Sequence, residues 1–179
     1  MTFFVSEIKR EAPAEFETDT QKRIYETLEK LSIEFGRVDT DDGTTMESCV
    51  HISKGLGCPV VKTIFLCNRQ QTLFYLYVTA AEKPFVTRDF CGALGVPRVS
   101  FAPTEMLWEK LGTRMGATTM LSLINDVEHH VTLVIDRDVA ARAELGCTDG
   151  TTTCFLKLPM PKILDNFLTY TGHTAVMIG

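Results

Sequence analysis

The sequence predicts a single α+β (mixed α/β) domain in which helices surround a central, mixed and mostly antiparallel sheet. Strand-like segments joined by short polar turns alternate with helix-like segments, and this mixture of hairpins and helices is typical of the class. The 179 residues suit one compact domain, and an apolar content of 45% is enough for a sizeable core. We interpret the polar residues 1–18 as an N-terminal arm and residues 19–179 as the domain itself.

The first predicted helix begins at Thr18 or Asp19, either of which can cap it, and its apolar stripe continues to Phe35. Gly36 is expected to end this helix, because glycine readily adopts the left-handed conformation that follows many helix C-termini. After an acidic loop, a second and shorter helix is predicted near residues 44–54.

Two apolar, β-rich segments at 62–67 and 72–79 predict a β-hairpin, because the short connection at 68–71 is polar throughout. A helix at 87–94 and a short strand within 96–101 are expected next. The hairpin would therefore form the beginning of the sheet, with a helical crossover after it.

The second half of the sequence continues this alternation. A helix opens near Thr104 and ends at Gly112, a loop of small residues and a short apolar segment cover 116–123, and residues 130–136 have a clear strand pattern. The remaining predicted elements are a short helix within 137–145, a strand at 151–158, a helix from Pro161 to Gly172 and a terminal strand at 175–178.

Composition and motifs argue against several classes of function. The net charge of −5 gives no overall basic surface for DNA. No apolar stretch approaches the ~20 residues that span a bilayer and no signal peptide is recognised, so we expect a cytoplasmic protein without a membrane partner. The six cysteines and four histidines are not grouped, which argues against a metal site, and no cofactor motif is present.

Lys62 is the most informative residue, because it stands within the apolar segment 58–67, at the front of a predicted strand. An ammonium group in this position must be solvated in a cleft, paired with an acid or held for chemistry. A surface lysine whose stem covers apolar neighbours is the alternative, and the residues alone favour it over a functional role.

Two polar pairs near turns have structural as well as functional interpretations. Asn125 and Asp126 precede a strand, where their side chains can cap backbone groups. His173 follows Gly172 at the end of a helix and can donate to the last helical carbonyls. From the residues alone, the structural interpretation is favoured for both pairs.

Five segments of this chain resemble, in the same order, the YbaK/ProX-type prolyl-tRNA editing family, also called aminoacyl-tRNA deacylases. The resemblance runs from about residue 20 to the end of the chain and is greatest to the free-standing ProX branch. The segments are Val61–Leu66, Leu94–Ala102, Leu123–Asp126, Val131–Asp136 and Thr171–His173.

This resemblance implies a hydrolase that acts on mischarged aminoacyl-tRNA without a metal or other cofactor. The essential lysine of the family falls on Lys62, and the glycine-containing loop beside the aminoacyl pocket falls on residues 116–120, with Met120 in place of the family's proline. Backbone N–H groups of this loop are expected to bind the developing oxyanion. The candidate substrate-binding residues are Gly116, Ala117, Thr118, Met120, Asn125 and His173.

The resemblance therefore implies a trans-editing deacylase that uses Lys62 to position and polarise the ester of alanyl-tRNA(Pro). Its expected partner is the 3′ aminoacyl end of a mischarged tRNA, with prolyl-tRNA synthetase as a second candidate partner. The alternative is a non-catalytic family member that binds aminoacyl-tRNA or an amino acid as a sensor. Met120 and residues 146–151, where the ProX branch commonly has a His-Pro-x-x-Asn pattern, favour this alternative.

Overall fold

Eight strands form two sheets in the computed structural model, which describes residues 2–179. The large sheet has the strand order β4 (Val99–Phe101), β2 (Val61–Asn68), β3 (Phe74–Ala80), β5 (Val131–Asp136) and β8 (Ala175–Ile178). The small sheet has the order β1 (Gly36–Asp39), β7 (Cys154–Pro159) and β6 (Glu144–Thr148), and its pairs are antiparallel. In the large sheet β2 is antiparallel to β4 and β3, whereas β5 is parallel to β3 and β8.

Helices connect most of these strands and confirm the predicted α+β class. A 3₁₀ helix (Met120–Asn125) precedes β5, and a π-helical turn (Ile163–Phe167) lies between the last two α-helices. The strands divide between two sheets where the sequence predicted one, and a parallel bridge from Val60 to Gly146 joins the sheets. The α-helices are α1 (Asp19–Lys30), α2 (Met46–Leu56), α3 (Thr87–Leu94), α4 (Thr104–Leu111), α5 (Arg137–Ala140), α6 (Met160–Lys162) and α7 (Leu168–Thr171).

The first helix begins as predicted but ends earlier. Thr18 Oγ1 accepts a hydrogen bond from the N–H of Gln21 at 3.0 Å, which confirms Thr18 as the cap. The predicted end at Gly36 is wrong, because α1 ends at Lys30 and Ser32 has a φ of 55°, which breaks the helical path. Gly36 instead begins β1.

Neither β1 nor β6 was predicted from the sequence. Arg37 in β1 is only 4% exposed, and its guanidinium donates to Asp39 Oδ1 at 2.6 Å and to the carbonyl of Glu11 at 2.8 Å. These bonds compensate a buried charge that in the sequence resembles a surface residue. The predicted helix at 137–145 is too long, because it includes the start of β6, which pairs along its length with β7.

The main apolar core contains residues of both sheets, α1 and the last helical segment, and includes the fully buried Ile24, Leu76 and Phe167. A second cluster covers the other face of the large sheet with Phe90 of α3, and a third lies where Ile52 of α2 contacts the small sheet. Each such side chain stabilises the fold by about 1.5–3 kcal/mol. Among residues 2–179, no helix has the length and apolar character needed to cross a membrane.

The β2–β3 hairpin and α2 position the candidate site. The hairpin confirms the prediction, and its register places Lys62 opposite Thr79. A capping box fixes the start of α2, because the N–H of Ser48 donates to Thr45 Oγ1 at 3.1 Å and the N–H of Thr45 donates to Ser48 Oγ at 3.0 Å. α2 itself packs against β1 and β7 of the small sheet.

Candidate functional site

A cavity of about 260 Å³ lies between the start of β2, the first turn of α2 and the end of β6. Lys62 is the only charged side chain among the described residues that line it. Two cysteines, Cys49 and Cys147, and several apolar side chains complete the wall. Five threonines also line the cavity: Thr44, Thr45, Thr63, Thr118 and Thr148. The cavity therefore combines one cation with a wall rich in hydroxyl groups.

A larger hollow of about 760 Å³ lies between the N-terminal arm and α1, away from Lys62. Its wall contains four glutamates, Glu11, Glu26, Glu29 and Glu34, with Arg10 as the only cation in the lining described. A mostly acidic wall repels a polyanion such as tRNA. The smaller cavity is thus the better candidate for the site that the sequence predicts.

Lys62 is half-buried, and its ammonium group donates a hydrogen bond to the backbone carbonyl of Lys83. Among residues 2–179, no carboxylate lies within ion-pair distance of it. An ammonium group has three donors, so two remain for a ligand in the cavity. The sequence left open whether Lys62 is solvated in a cleft, paired with an acid or held for chemistry. In the structure its ammonium group is bound by a neutral carbonyl at the wall of a cavity, and no acid pairs with it among the described residues.

The loop after α4 brings Gly116 and Thr118 to the same cavity. Gly116 has a φ of 87°, in the left-handed region that strains any residue with a Cβ atom, so this position favours glycine. The N–H of Ala117 donates to the carbonyl of Arg114 at 3.0 Å, which removes it as the expected oxyanion donor. The N–H of Gly116 has no hydrogen-bond partner among the described residues.

Three further predicted site residues lie outside the lining of this cavity. Met120 is 1% exposed and belongs to the main core, so it does not narrow the cavity. Asn125 donates to the carbonyl of Leu111 at 2.8 Å and to Thr20 Oγ1 at 3.0 Å, which ties the end of α4 to α1. The structure thus brings together Lys62, Gly116 and Thr118, places Ala117 beside them and separates Met120, Asn125 and His173 from them.

His173 is buried and makes a hydrogen bond to Asp126, with Nε2 and Oδ2 2.8 Å apart. Asp126 also accepts hydrogen bonds from the N–H groups of His130 and Val131, each at 2.9 Å, which confirms its predicted capping role. Burial alone would raise the pKa of Asp126, but the hydrogen bonds from His173 and the backbone outweigh it and hold this pKa below its ordinary value. This cluster stabilises the approach to β5.

Sequence reasoning missed the α2 side of the cavity and the contribution of β6. The turn before α2 supplies Thr44 and Thr45, and β6 supplies Cys147 and Thr148. The sequence carries a signal only for the second pair, because residues 146–151 correspond to the segment in which the ProX branch commonly has a His-Pro-x-x-Asn pattern. Burial raises the pKa of the Cys147 thiol to about 12, so this cysteine is a neutral wall residue at pH 7 and not a nucleophile.

The fold and cavity together define a mixed α/β domain that presents one lysine to a small, hydroxyl-lined cavity. The Aminoacyl-tRNA editing domain family matches residues 40–165, and the chain belongs to this family. The predicted resemblance to YbaK/ProX-type proteins is therefore confirmed. The matched range contains all residues that line the cavity but does not reach His173.

Two curated relatives carry related descriptions. The chain is 29% identical over 162 residues to Prolyl-tRNA synthetase associated domain-containing protein 1 of Danio rerio, which covers 89% of this chain and 87% of the relative. It is 23% identical over 125 residues to Prolyl-tRNA editing protein ProX of Acetoanaerobium sticklandii, which covers 70% of this chain and 76% of the relative.

Solved structures share the fold. The chain matches the hypothetical protein APE2540 with a TM-score of 0.66 at 17% identity, covering 87% of this chain and 98% of the other. It matches a protein proposed as a trans-editing enzyme for prolyl tRNA synthetase with a TM-score of 0.63 at 16% identity, covering 91% and 98%. At these identities the structural matches establish the architecture alone.

Proposed function

We propose that this protein is a trans-editing deacylase that hydrolyses the ester bond of mischarged aminoacyl-tRNA, with alanyl-tRNA(Pro) as the expected substrate. The observation that carries the proposal is the position of Lys62, the one cation among the described lining residues of a small cavity in an aminoacyl-tRNA editing domain. The names of the two relatives support the link to prolyl-tRNA. Prolyl-tRNA synthetase remains a candidate partner on the same ground.

In this proposal Lys62 acts by electrostatic stabilisation of the reacting ester. One N–H of its ammonium group is held by the carbonyl of Lys83, and the other two point to the ester carbonyl oxygen or the terminal phosphate of the tRNA. We propose the N–H of Gly116, which lines the cavity and has no hydrogen-bond partner among the described residues, as a second donor for the oxyanion. Donors held in place before the substrate arrives are the condition for such stabilisation, and the hydrogen bond to Lys83 supplies this for Lys62.

The hydrolysis itself requires an attacking water. Water adds to the ester carbonyl carbon, the bond to the ribose oxygen breaks, and that oxygen takes a proton as free amino acid and tRNA form. No histidine or carboxylate is found among the described lining residues, so the proposed orienting group for the water is the neighbouring ribose hydroxyl of the substrate. The threonine hydroxyls of the wall can hold this water by hydrogen bonds.

Size selection is proposed to come from the backbone that lines the cavity. The backbone at Gly43 packs so closely that a Cβ atom there would lie 2.7 Å from Ile52 Cδ1 and 2.9 Å from Phe155 Cε2. One extra methylene in an adaptable apolar pocket changes the binding free energy by only about 1–3 kcal/mol. Close-packed backbone that excludes a larger side chain therefore discriminates better between amino acids. In this proposal backbone contacts, and not the volume of about 260 Å³, set the limit on the size of the amino acid.

A sensor that binds aminoacyl-tRNA or an amino acid without hydrolysis is the second candidate. It is favoured by the absence of a histidine or carboxylate from the described lining, because a binding site needs no general base. The two candidates differ in one measurable respect, since only the deacylase releases free amino acid.

A panel of mischarged tRNAs, with alanyl- and cysteinyl-tRNA(Pro) included, separates the two candidates under single-turnover conditions. We expect release of alanine by the wild type and a loss of about 10²–10³-fold in Lys62→Met, comparable to the removal of one oxyanion-hole donor. Lys22→Met on the exposed surface of α1 is the matched control and should retain full activity. Tight binding of the panel without release would support the sensor instead.

A further inference from the structure

The segment that holds Lys62 is itself anchored to a buried carboxylate in the large sheet. Lys62, Thr79 and Asp136 lie in one row across β2, β3 and β5, because Lys62 pairs with Thr79 and the parallel register of β3 and β5 continues to Thr79 and Asp136. Cross-strand neighbours point to the same face of a sheet. Lys83 follows β3 and reaches both ends of this row.

Lys83 links the two outer residues through different atoms. Its backbone carbonyl accepts the hydrogen bond of the Lys62 ammonium group, and its own ammonium group lies 2.9 Å from Asp136 Oδ2. The turn is closed by the N–H of Lys83, which donates to the carbonyl of Ala80 at 3.1 Å. The Lys83 backbone therefore stays near Lys62 only if the turn keeps this shape.

Asp136 is built to remain a buried anion. It is 1% exposed, and in addition to Lys83 it accepts hydrogen bonds from the hydroxyl groups of Tyr77 and Thr79. Burial opposes its ionisation, but these donors outweigh burial and hold the pKa of Asp136 below its ordinary value. Asp136 is therefore a buried anion that holds the ammonium group of Lys83.

We infer that Asp136 and Lys83 are positioning residues for Lys62, since together they fix the carbonyl that orients its ammonium group. The inference rests on the proposed deacylase function. A lysine side chain has four rotatable bonds, so without a fixed acceptor its ammonium group spreads over many positions. Displacement of a catalytic group by about 1 Å can lower a rate by about 100-fold.

The test uses Lys83→Met, Lys83→Arg, Asp136→Asn and the double variant Lys83→Met/Asp136→Asn in single-turnover deacylation. Lys83→Met keeps the backbone carbonyl but loses the anchor, and this side chain is 47% exposed, so the variant should fold. Lys9→Met is the control, because it also loses an ion pair, that of the partly exposed Lys9 side chain with Asp39 of the small sheet at 2.7 Å.

We expect Lys83→Met and Asp136→Asn each to lower the rate constant at saturating protein by about 10- to 100-fold, with the half-saturating concentration unchanged within about twofold. Lys83→Arg should restore most of the rate, and the double variant should be no slower than the slower single variant, because both changes break one linkage. Lys9→Met should behave as wild type. Wild-type rates in Lys83→Met, or losses that simply add in the double variant, would overturn the inference.

Hydrogen exchange of the Lys83 amide supplies a readout that needs no substrate. Protection of the amide at position 83 against exchange should fall in Lys83→Met and Asp136→Asn but not in Lys9→Met. Only the first two variants break the ion pair that holds the turn. If the wild type hydrolyses no substrate, the proposed function fails on its own, and this exchange measurement still decides whether Asp136 anchors the turn. Unchanged protection in both variants would contradict the anchor directly.

Discussion

Gly146 is the position at which a single added methyl group should separate the two sheets. It forms the bridge with Val60, and a Cβ atom there would lie 2.6 Å from the carbonyl oxygen of Pro59 and 3.1 Å from the Cα atom of Val60. All of these neighbours are backbone atoms, which cannot rotate away as a flexible side chain does. Gly146→Ala must therefore displace the start of β2 from β6.

The expected magnitude follows from overpacking. Extra methyl groups in a packed interior typically destabilise by about 1–3 kcal/mol. In a chain of this size each kcal/mol lowers the melting temperature by about 2–4 °C, so Gly146→Ala should melt about 2–12 °C below wild type. Because Val60 of the bridge and Cys147 next to Gly146 both line the cavity, the proposed activity should fall as well.

Gly92→Ala is the matched control for this substitution. Gly92 lies within α3, and a Cβ atom there would meet no atom within 4 Å. Alanine favours a helix over glycine by about 0.5–1 kcal/mol, so this variant should melt at or above the wild-type temperature. Thermal and urea unfolding, followed by circular dichroism, measure both variants. A Gly146→Ala protein as stable as Gly92→Ala would refute the reasoning about the bridge.

Two further predictions concern buried ionisable groups. Asp126→Asn should lower the free energy of unfolding at pH 7 by about 1–3 kcal/mol, because one buried donor of His173 or the backbone loses its acceptor. The folded pKa of Asp126 lies below its unfolded value of about 4, so its contribution is present above that pH and is lost as the pH falls through the folded pKa. Urea unfolding of both proteins from pH 6 to pH 3 should therefore show the gap narrowing, and a constant gap would contradict this assignment. Cys147 should react with a thiol reagent at pH 7 far more slowly than Cys147 in urea-unfolded protein, because burial raises its pKa to about 12. Mass spectrometry of the alkylated peptide measures this, and equal rates would show that the cavity wall is open.

The sequence predicted those parts of the fold that short-range patterns determine. The β2–β3 hairpin has apolar strands and a polar turn, and the cap at Thr18 is a local hydrogen bond. β1 has no such signal, because its burial depends on Arg37 pairing with Asp39 and on a strand more than 100 residues later. Its pairing with β7 is a long-range event, and a four-residue segment carries no periodic pattern that reveals it.

The candidate site likewise contains residues that local sequence patterns indicate and residues that only long-range packing brings in. Lys62 was recognisable because a charge at the front of an apolar strand is unusual, and Gly116 because the loop resembled a known family. Thr45 and Cys147 come to the cavity only through the packing of α2 and the bridge between the sheets, which no local pattern shows. Asp136 lay at the end of a predicted strand, where an acidic residue is usually solvated, and its burial is visible only in the assembled sheet.

One measurement tests the central claim most directly: the release of labelled alanine from alanyl-tRNA(Pro) mixed with an excess of wild-type protein or of Lys62→Met. The proposed function predicts first-order release by the wild type that is well above spontaneous hydrolysis and is reduced by about 10²–10³-fold in the variant. Equal release by the two proteins would contradict the role of Lys62. Release by neither protein would contradict the proposed deacylase activity on alanyl-tRNA(Pro).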